Sequence, residues 1–162
     1  MDTDKILIAF DGSENSLRAV AYTGAMTAAC VGHHIEVVAV ERPPDRDLFP
    51  DDATWKEHCA EKAATLHRSL ETAREMLLQA GVPAAAVTIR FVGSCRSPLR
   101  ESQECSINAS IALEILQQAE KGGFGTVVIG RRGVSKQEEF LFGSVSSKII
   151  NAAKGLAVWV VA

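Results

Sequence analysis

KILIAFDGSENSLRAV, Lys5 to Val20, passes from an apolar run through a turn into a helical pattern. KILIAF (Lys5 to Phe10) is short and apolar, as a strand buried on both faces requires. Asp11 and Gly12 supply turn chemistry, and the Ser13 hydroxyl suits a helix N-cap. The helix is expected to run to about Val31, with Leu17, Val20, Ala21 and Ala28 inward, and Gly32 stops it. A strand that leads straight into a capped helix is the opening of a β-α unit.

The unit recurs along the chain. Further strand-like runs are IEVVAV (Ile35 to Val40), VTIRFV (Val87 to Val92), TVVIG (Thr126 to Gly130) and LAVWVVA (Leu156 to Ala162). From Thr54 to Ala80, Trp55, Cys59, Ala63, Leu66, Leu70, Ala73 and Leu77 recur at helical spacing, ended by Gly81 and Pro83. A third helix is expected from about Asn108 to Lys121, with Ile111, Ile115 and Ala119 in register. A fourth runs from Ser144 to Lys154, with Val145, Ile149 and Ala152 or Ala153 inward. Strict alternation predicts an α/β fold, with a parallel sheet covered by helices on both faces, in one domain over residues 1–162. VTIRFV alternates apolar and polar residues, which places it at a sheet edge. LAVWVVA is apolar throughout and closes the chain at the opposite edge, where either a second copy pairs with it or helices and the C-terminus cover it within one chain.

The 162 residues, 47% hydrophobic and 23% charged, suit one globular domain with a sizeable core. A net charge of -3 and a pI near 5.8 disfavour a general nucleic-acid binder. No apolar run approaches the ~18–20 residues that span a membrane, and MDTDKILIAFDG lacks the parts of a signal peptide. A cytoplasmic location is expected, without a membrane partner. There, Cys30, Cys59, Cys95 and Cys105 are expected as thiols, the first two as small core residues. His33, His34, His58 and His67 lack metal-ligand spacing.

Familiar nucleotide signatures fail: there is no Walker A motif, and the turn after the first strand reads DGSENS rather than GxGxxG. IGRRGVSKQEEFLFGSVSS (Ile129 to Ser147) carries a different pattern, Gly130-x2-Gly133-x9-Gly143-Ser144, between a strand and a helix. Backbone N–H groups at that helix start can hold an anion, and the glycines let backbone approach it closely. The same spacing also fits a plain loop with Ser144 as N-cap. If the first strand is central and the fourth lies beside it, their carboxyl ends bracket a switch-point crevice. Asp11 would face that crevice, where a carboxylate suits ribose hydroxyls; DGS is equally a turn.

ILIAFDGSENSLRAVAYTGAMTA, TVVIGRRG followed by FGSVSSKII, and the closing apolar strand together resemble the universal stress proteins over nearly the whole chain. The glycine pattern resembles that of the family's ATP-binding branch, matched without a gap. The resemblance implies a doubly wound, adenine nucleotide alpha hydrolase-like fold with strand order 3-2-1-4-5. It implies a homodimer paired through Leu156 to Val161, and ATP with Mg²⁺ as ligand. Carried over by position, Asp11 holds the ribose, Ala9 and Phe10 lie beside the adenine, and Val40 lines its pocket. Ile129 and Gly130 pass close to the nucleotide, and Gly133, Gly143, Ser144, Val145 and Ser146 hold the phosphates.

Two features depart from the family's usual look. Glu138 and Glu139 stand in the spacer, where Arg131, Arg132 and Lys136 can offset them. The polar segment Gly93 to Ser106 is an insertion carrying Cys95 and Cys105. Their spacing is not a zinc pattern, and a disulfide, a metal site or a redox sensor are its special alternatives. No nucleophile–base–orienter set stands out, and no catalytic residue or protein metal ligand is assigned. A nucleotide-dependent regulator of stress physiology is the expected function. A slow ATPase or nucleotidyl-transfer enzyme and a ligand-free dimeric scaffold are the alternatives.

Overall fold

Apolar strands assemble into a single parallel sheet covered by helices. The computed structural model describes residues 2–30, 32–99, 105–108, 110–131 and 144–162. In chain order the elements are β1 (Asp2–Ala9), α1 (Glu14–Thr27), β2 (His34–Val40), α2 (Asp52–Gln79), β3 (Val87–Val92), α3 (Ile111–Gly122), β4 (Phe124–Gly130), α4 (Ser144–Ala152) and β5 (Ala157–Val161). The sheet order is β3-β2-β1-β4-β5 and every pairing is parallel. The doubly wound fold and its strand order are therefore those that the resemblance implied, with β1 central and β3 and β5 at the edges.

The pleat of β1 divides the core in two. Ile6 and Ile8 pack beneath α1 and α2 with Val20, Val37 and Leu77. Leu7 faces the other way and packs with Val127, Ile115 and Ile149 beneath α3 and α4. Caps start the first two helices: Ser13 Oγ accepts the Ser16 N–H at 3.2 Å, and Asp51 Oδ1 accepts the Thr54 N–H at 2.7 Å. That backbone bond, foremost among several hydrogen bonds, holds the Asp51 carboxyl below the usual range.

α1 corrects the sequence reading. It ends at Thr27 rather than near Val31, which lies outside the described residues, and Ala21 and Ala28 are exposed. Its buried face is Ser16, Ala19, Val20, Thr23, Gly24 and Thr27. Thr23 and Thr27 donate to the carbonyls of Ala19 and Thr23 at 2.8 Å each, so their hydroxyls are buried without being orphaned. Gly24 lets α2 press close, since a Cβ there would meet that of Ala80 at 2.9 Å. Cys30 is exposed rather than in the core, whereas Cys59 is buried as expected.

The later helices are shorter than expected. α3 begins at Ile111 rather than Asn108 and closes on Gly123 in the left-handed region, φ 68°. α4 stops at Ala152 rather than Lys154. Two acids inside apolar patterns are buried: Glu36 within β2, paired with Arg90 of edge strand β3 at 2.8 Å, and Glu114 within α3. Cys95 and Cys105 form a disulfide, which overturns the expectation of four thiols. The insertion brings their Cα atoms within 5.0 Å, inside the bonding range.

Candidate functional site

β1 and β4 lie side by side, and the helices that follow them cover opposite faces of the sheet, α1 on the side of Ile8 and α4 on the side of Leu7. The carboxyl ends of two such strands form the crevice in which open α/β sheets take ligands. A pocket of about 170 Å³ sits there. From the first strand and its turn come Ala9, Phe10 and Asp11; from β4, Ile129 and Gly130; from α4, Val145 and Ser146. Seven residues chosen from sequence thus converge from separate elements on one pocket.

The remaining sequence-chosen residues fall elsewhere. Val40 lines an adjoining hollow of about 300 Å³, which shares Ile111 with the first. Ser144 is exposed and is the first described residue of α4. Gly133 and Gly143, with Arg132, Lys136, Glu138 and Glu139, lie outside the described residues.

Local bonding shapes the crevice. Asp11 is exposed, and its Oδ1 accepts the Ser13 N–H at 3.0 Å, which shapes the turn into α1. Gly12 takes φ 77°, a conformation that glycine adopts without strain. Ser146 Oγ donates to the Gly130 carbonyl at 3.3 Å, tying α4 to the end of β4. Gly130 also packs against the start of α1: a Cβ would lie 2.4 Å from the Asn15 carbonyl oxygen. Its lack of a side chain is therefore a packing requirement, a role its place in the glycine pattern did not reveal.

A family model described as the universal stress protein family matches residues 3–162. The chain belongs to the universal stress protein family. No curated protein sequence matches it. Among solved structures, a universal stress protein from Burkholderia pseudomallei aligns at 18% identity and TM-score 0.66, covering 98% of this chain and 95% of that one. A universal stress protein solved in complex with cAMP aligns at 19% identity and TM-score 0.66, covering 99% and 98%. One from Archaeoglobus fulgidus, solved in complex with dAMP, aligns at 18% identity and TM-score 0.63, covering 98% and 97%. At these identities the likeness is one of fold.

This universal stress protein adds residues to the crevice that sequence reasoning missed. Ser13, Asn15 and Ser16 line it from the first turn of α1, and Ile111 and Ile115 from α3. The first group was findable, because a helix that starts directly after Asp11 must aim its first turn at the same crevice. Ile111 and Ile115 were legible only as a core-facing pair. A larger cleft, about 740 Å³, lies beside the start of β2 and the end of β3, around Glu36, Arg90 and Glu114. Its acids are already engaged by Arg90, Ser106, Asn108 and Gln118. The smaller crevice has what a planar, polar-edged ligand needs: apolar walls, a carboxylate and two helix starts. Among the described residues no helix is long and apolar enough to cross a membrane.

Proposed function

We propose that this universal stress protein binds an adenine nucleotide in the β1–β4 crevice and acts as a nucleotide-dependent regulator of a stress response. The observation that carries the reading is the convergence of seven sequence-chosen residues on one pocket at the switch point. The residues present fit the ligand chemically. Ala9, Ile111, Ile129 and Val145 offer apolar surface to a purine, and the Asp11 carboxylate can accept from ribose hydroxyls. The N-terminal N–H groups of α4, with Ser144 and Ser146, suit phosphate oxygens.

The spacing from Gly130 through Gly133 and Gly143 to Ser144 supports ATP as the nucleotide. Mg²⁺ would be held mainly by the phosphates. Among the described residues no group of three or more His, Cys, Asp and Glu side chains is placed to hold a metal ion. Cyclic AMP and dAMP complexes of related folds support the adenine class. The reading makes the protein a cytoplasmic binder whose signal passes through its assembly.

Calorimetric titration with ATP and Mg²⁺ tests the proposal. Asp11→Asn keeps an oxygen for the Ser13 N–H but removes the charge, so affinity is expected to fall about tenfold with the fold intact. Undiminished binding in this variant removes Asp11 from the site, and no uptake by the parent protein ends the nucleotide reading.

The same proposal includes a homodimer paired through Leu156 to Val161. Val158, Trp159, Val160 and Val161 are only half-buried on edge strand β5, so a partner strand would cover apolar surface as well as open backbone groups. Val160→Asp is expected to shift sedimentation from dimer to monomer while the far-ultraviolet dichroism stays helical. A monomeric parent protein overturns the pairing.

A further inference from the structure

The disulfide joins two segments that line, from either side, the hollow adjoining the candidate nucleotide crevice. Cys95 follows β3 directly after Gly93 and Ser94, and Cys105 precedes α3. Beside the cross-link the backbone is paired: Ser106 N–H donates to the Gly93 carbonyl at 2.8 Å, and Cys95 N–H to the Ser106 carbonyl at 2.9 Å. Ser94 and Ser106 form a parallel bridge.

Each side of this staple reaches the hollow beside the crevice. Glu41, next after Val40, accepts the Ser94 N–H at 2.9 Å and the Ser97 hydroxyl at 2.7 Å. Its own N–H donates to the Val92 carbonyl at 2.9 Å. On the other side, Ser106 Oγ and Asn108 Nδ2 donate to Glu114 of α3, the helix that opens with Ile111. Val40, Ser94, Asn108 and Ile111 all line the 300 Å³ hollow. The sulfur bridge therefore ties the β2 wall to the α3 wall.

We propose that Cys95 and Cys105 are a redox-responsive pair that sets nucleotide affinity, the disulfide form binding tightly and the dithiol form weakly. This rests on the adenine-nucleotide reading above. Oxidation requires a co-reactant: a small-molecule disulfide accepts two electrons and both thiol protons and leaves as two thiols, and a dithiol reductant reverses the step. In a reducing compartment, disulfides in folded proteins are mostly transient, catalytic or redox-sensing rather than structural. Reduction removes the covalent tie and leaves the core beneath the sheet untouched, so the fold persists, but the walls are then joined only by the Ser106 backbone bonds and the Glu114 contacts, which open and close. Nucleotide binding must then itself order the wall that the bridge had fixed, and affinity falls. Cys59 is a poor competitor for exchange, because burial, and then the Glu41 charge, push its thiol above the usual range.

The test uses the full chain carrying Cys30→Ser, which removes the exposed thiol. ATP is titrated by calorimetry into the oxidised protein and into protein reduced by a phosphine. The expected result is about tenfold weaker binding after reduction. Linkage demands the reciprocal effect: saturating ATP makes the reduction potential of the pair more negative by about 30 mV, the two-electron equivalent of tenfold. The double variant Cys95→Ser, Cys105→Ser, verified as folded by its melting profile, is expected to bind like the reduced protein under both conditions. Equal affinity in the two redox forms, with an unshifted potential, overturns the redox proposal and leaves the nucleotide reading standing. A double variant that binds like the oxidised form also overturns it. Absence of ATP binding in both forms overturns both proposals.

Discussion

A Gly130→Ala variant is expected to melt about 6–12 °C below the parent protein, from a loss of about 3 kcal/mol. The added methyl would stand 2.4 Å from the carbonyl oxygen of Asn15 and 2.5 Å from its carbonyl carbon. Those atoms belong to the first turn of α1, which is held by the Ser13 cap, so no flexible side-chain end is available to move aside. The strain would push β4 away from α1 at the crevice itself, so nucleotide affinity should fall along with stability. Gly93→Ala is the control. There a Cβ would find only ordinary contacts, the nearest Glu41 Oε2 at 3.7 Å, and a melting change of a few degrees at most is expected. Differential scanning calorimetry of the pair separates local crowding from a general intolerance of alanine. Equal melting of Gly130→Ala and parent would show that the approach of β4 to α1 is loose.

Replacing Glu114 by alanine is expected to cost about 2–3 kcal/mol at neutral pH. The residue is only 3% exposed. Its carboxylate accepts from Ser106 Oγ and Asn108 Nδ2 on one oxygen and from Gln118 Nε2, at 2.7 Å, on the other. Burial alone would push the Glu114 carboxyl up. The bonds from Ser106, Gln118 and Asn108, with the Lys121 charge, outweigh it and hold the group below the usual range. A depressed pKa in the folded state fixes the sign of the pH dependence. The contribution is full above the ordinary carboxylate range, near pH 4, and is lost as pH falls through the lower folded value. In chemical denaturation, parent and Glu114→Ala should therefore differ most at neutral pH and converge in acid. A gap that widens on acidification would mean that the group is buried neutral.

The alternation of apolar runs with capped helical stripes made the architecture readable, because each strand must be covered on both faces and each helix must cover one. The edges were readable for the same reason: VTIRFV is polar on one side where β3 lacks cover. α1 was misread because counting apolar residues overlooks threonines that satisfy their own hydroxyls against the preceding turn. Glu36 and Glu114 were missed because their partners, Arg90, Ser106 and Asn108, are identified only by where the chain folds back. The Cys95–Cys105 bond depended on how the inserted segment returns to β3, which spacing does not determine. Within the crevice, Asp11 and Gly130 stood out by residue type and position, whereas Ile111 and Ile115 looked like any other core residues.

The all-parallel order has a consequence for the nascent chain. β1 is synthesised first and sits at the centre of the sheet, with Leu7 registered against Glu36 on one side and Val127 on the other. Its first neighbour emerges within a few seconds, but the second follows on the order of a hundred residues later, roughly 5–25 s at the usual pace of translation. Throughout that interval the buried run Ile6 to Ile8 presents one unpaired edge, and its Leu7 face waits for α3 and α4. Any strand from another chain that reaches it first competes with β4 for the same row of backbone groups. The centre of the sheet, the most protected part of the finished protein, is thus its most vulnerable part on the ribosome.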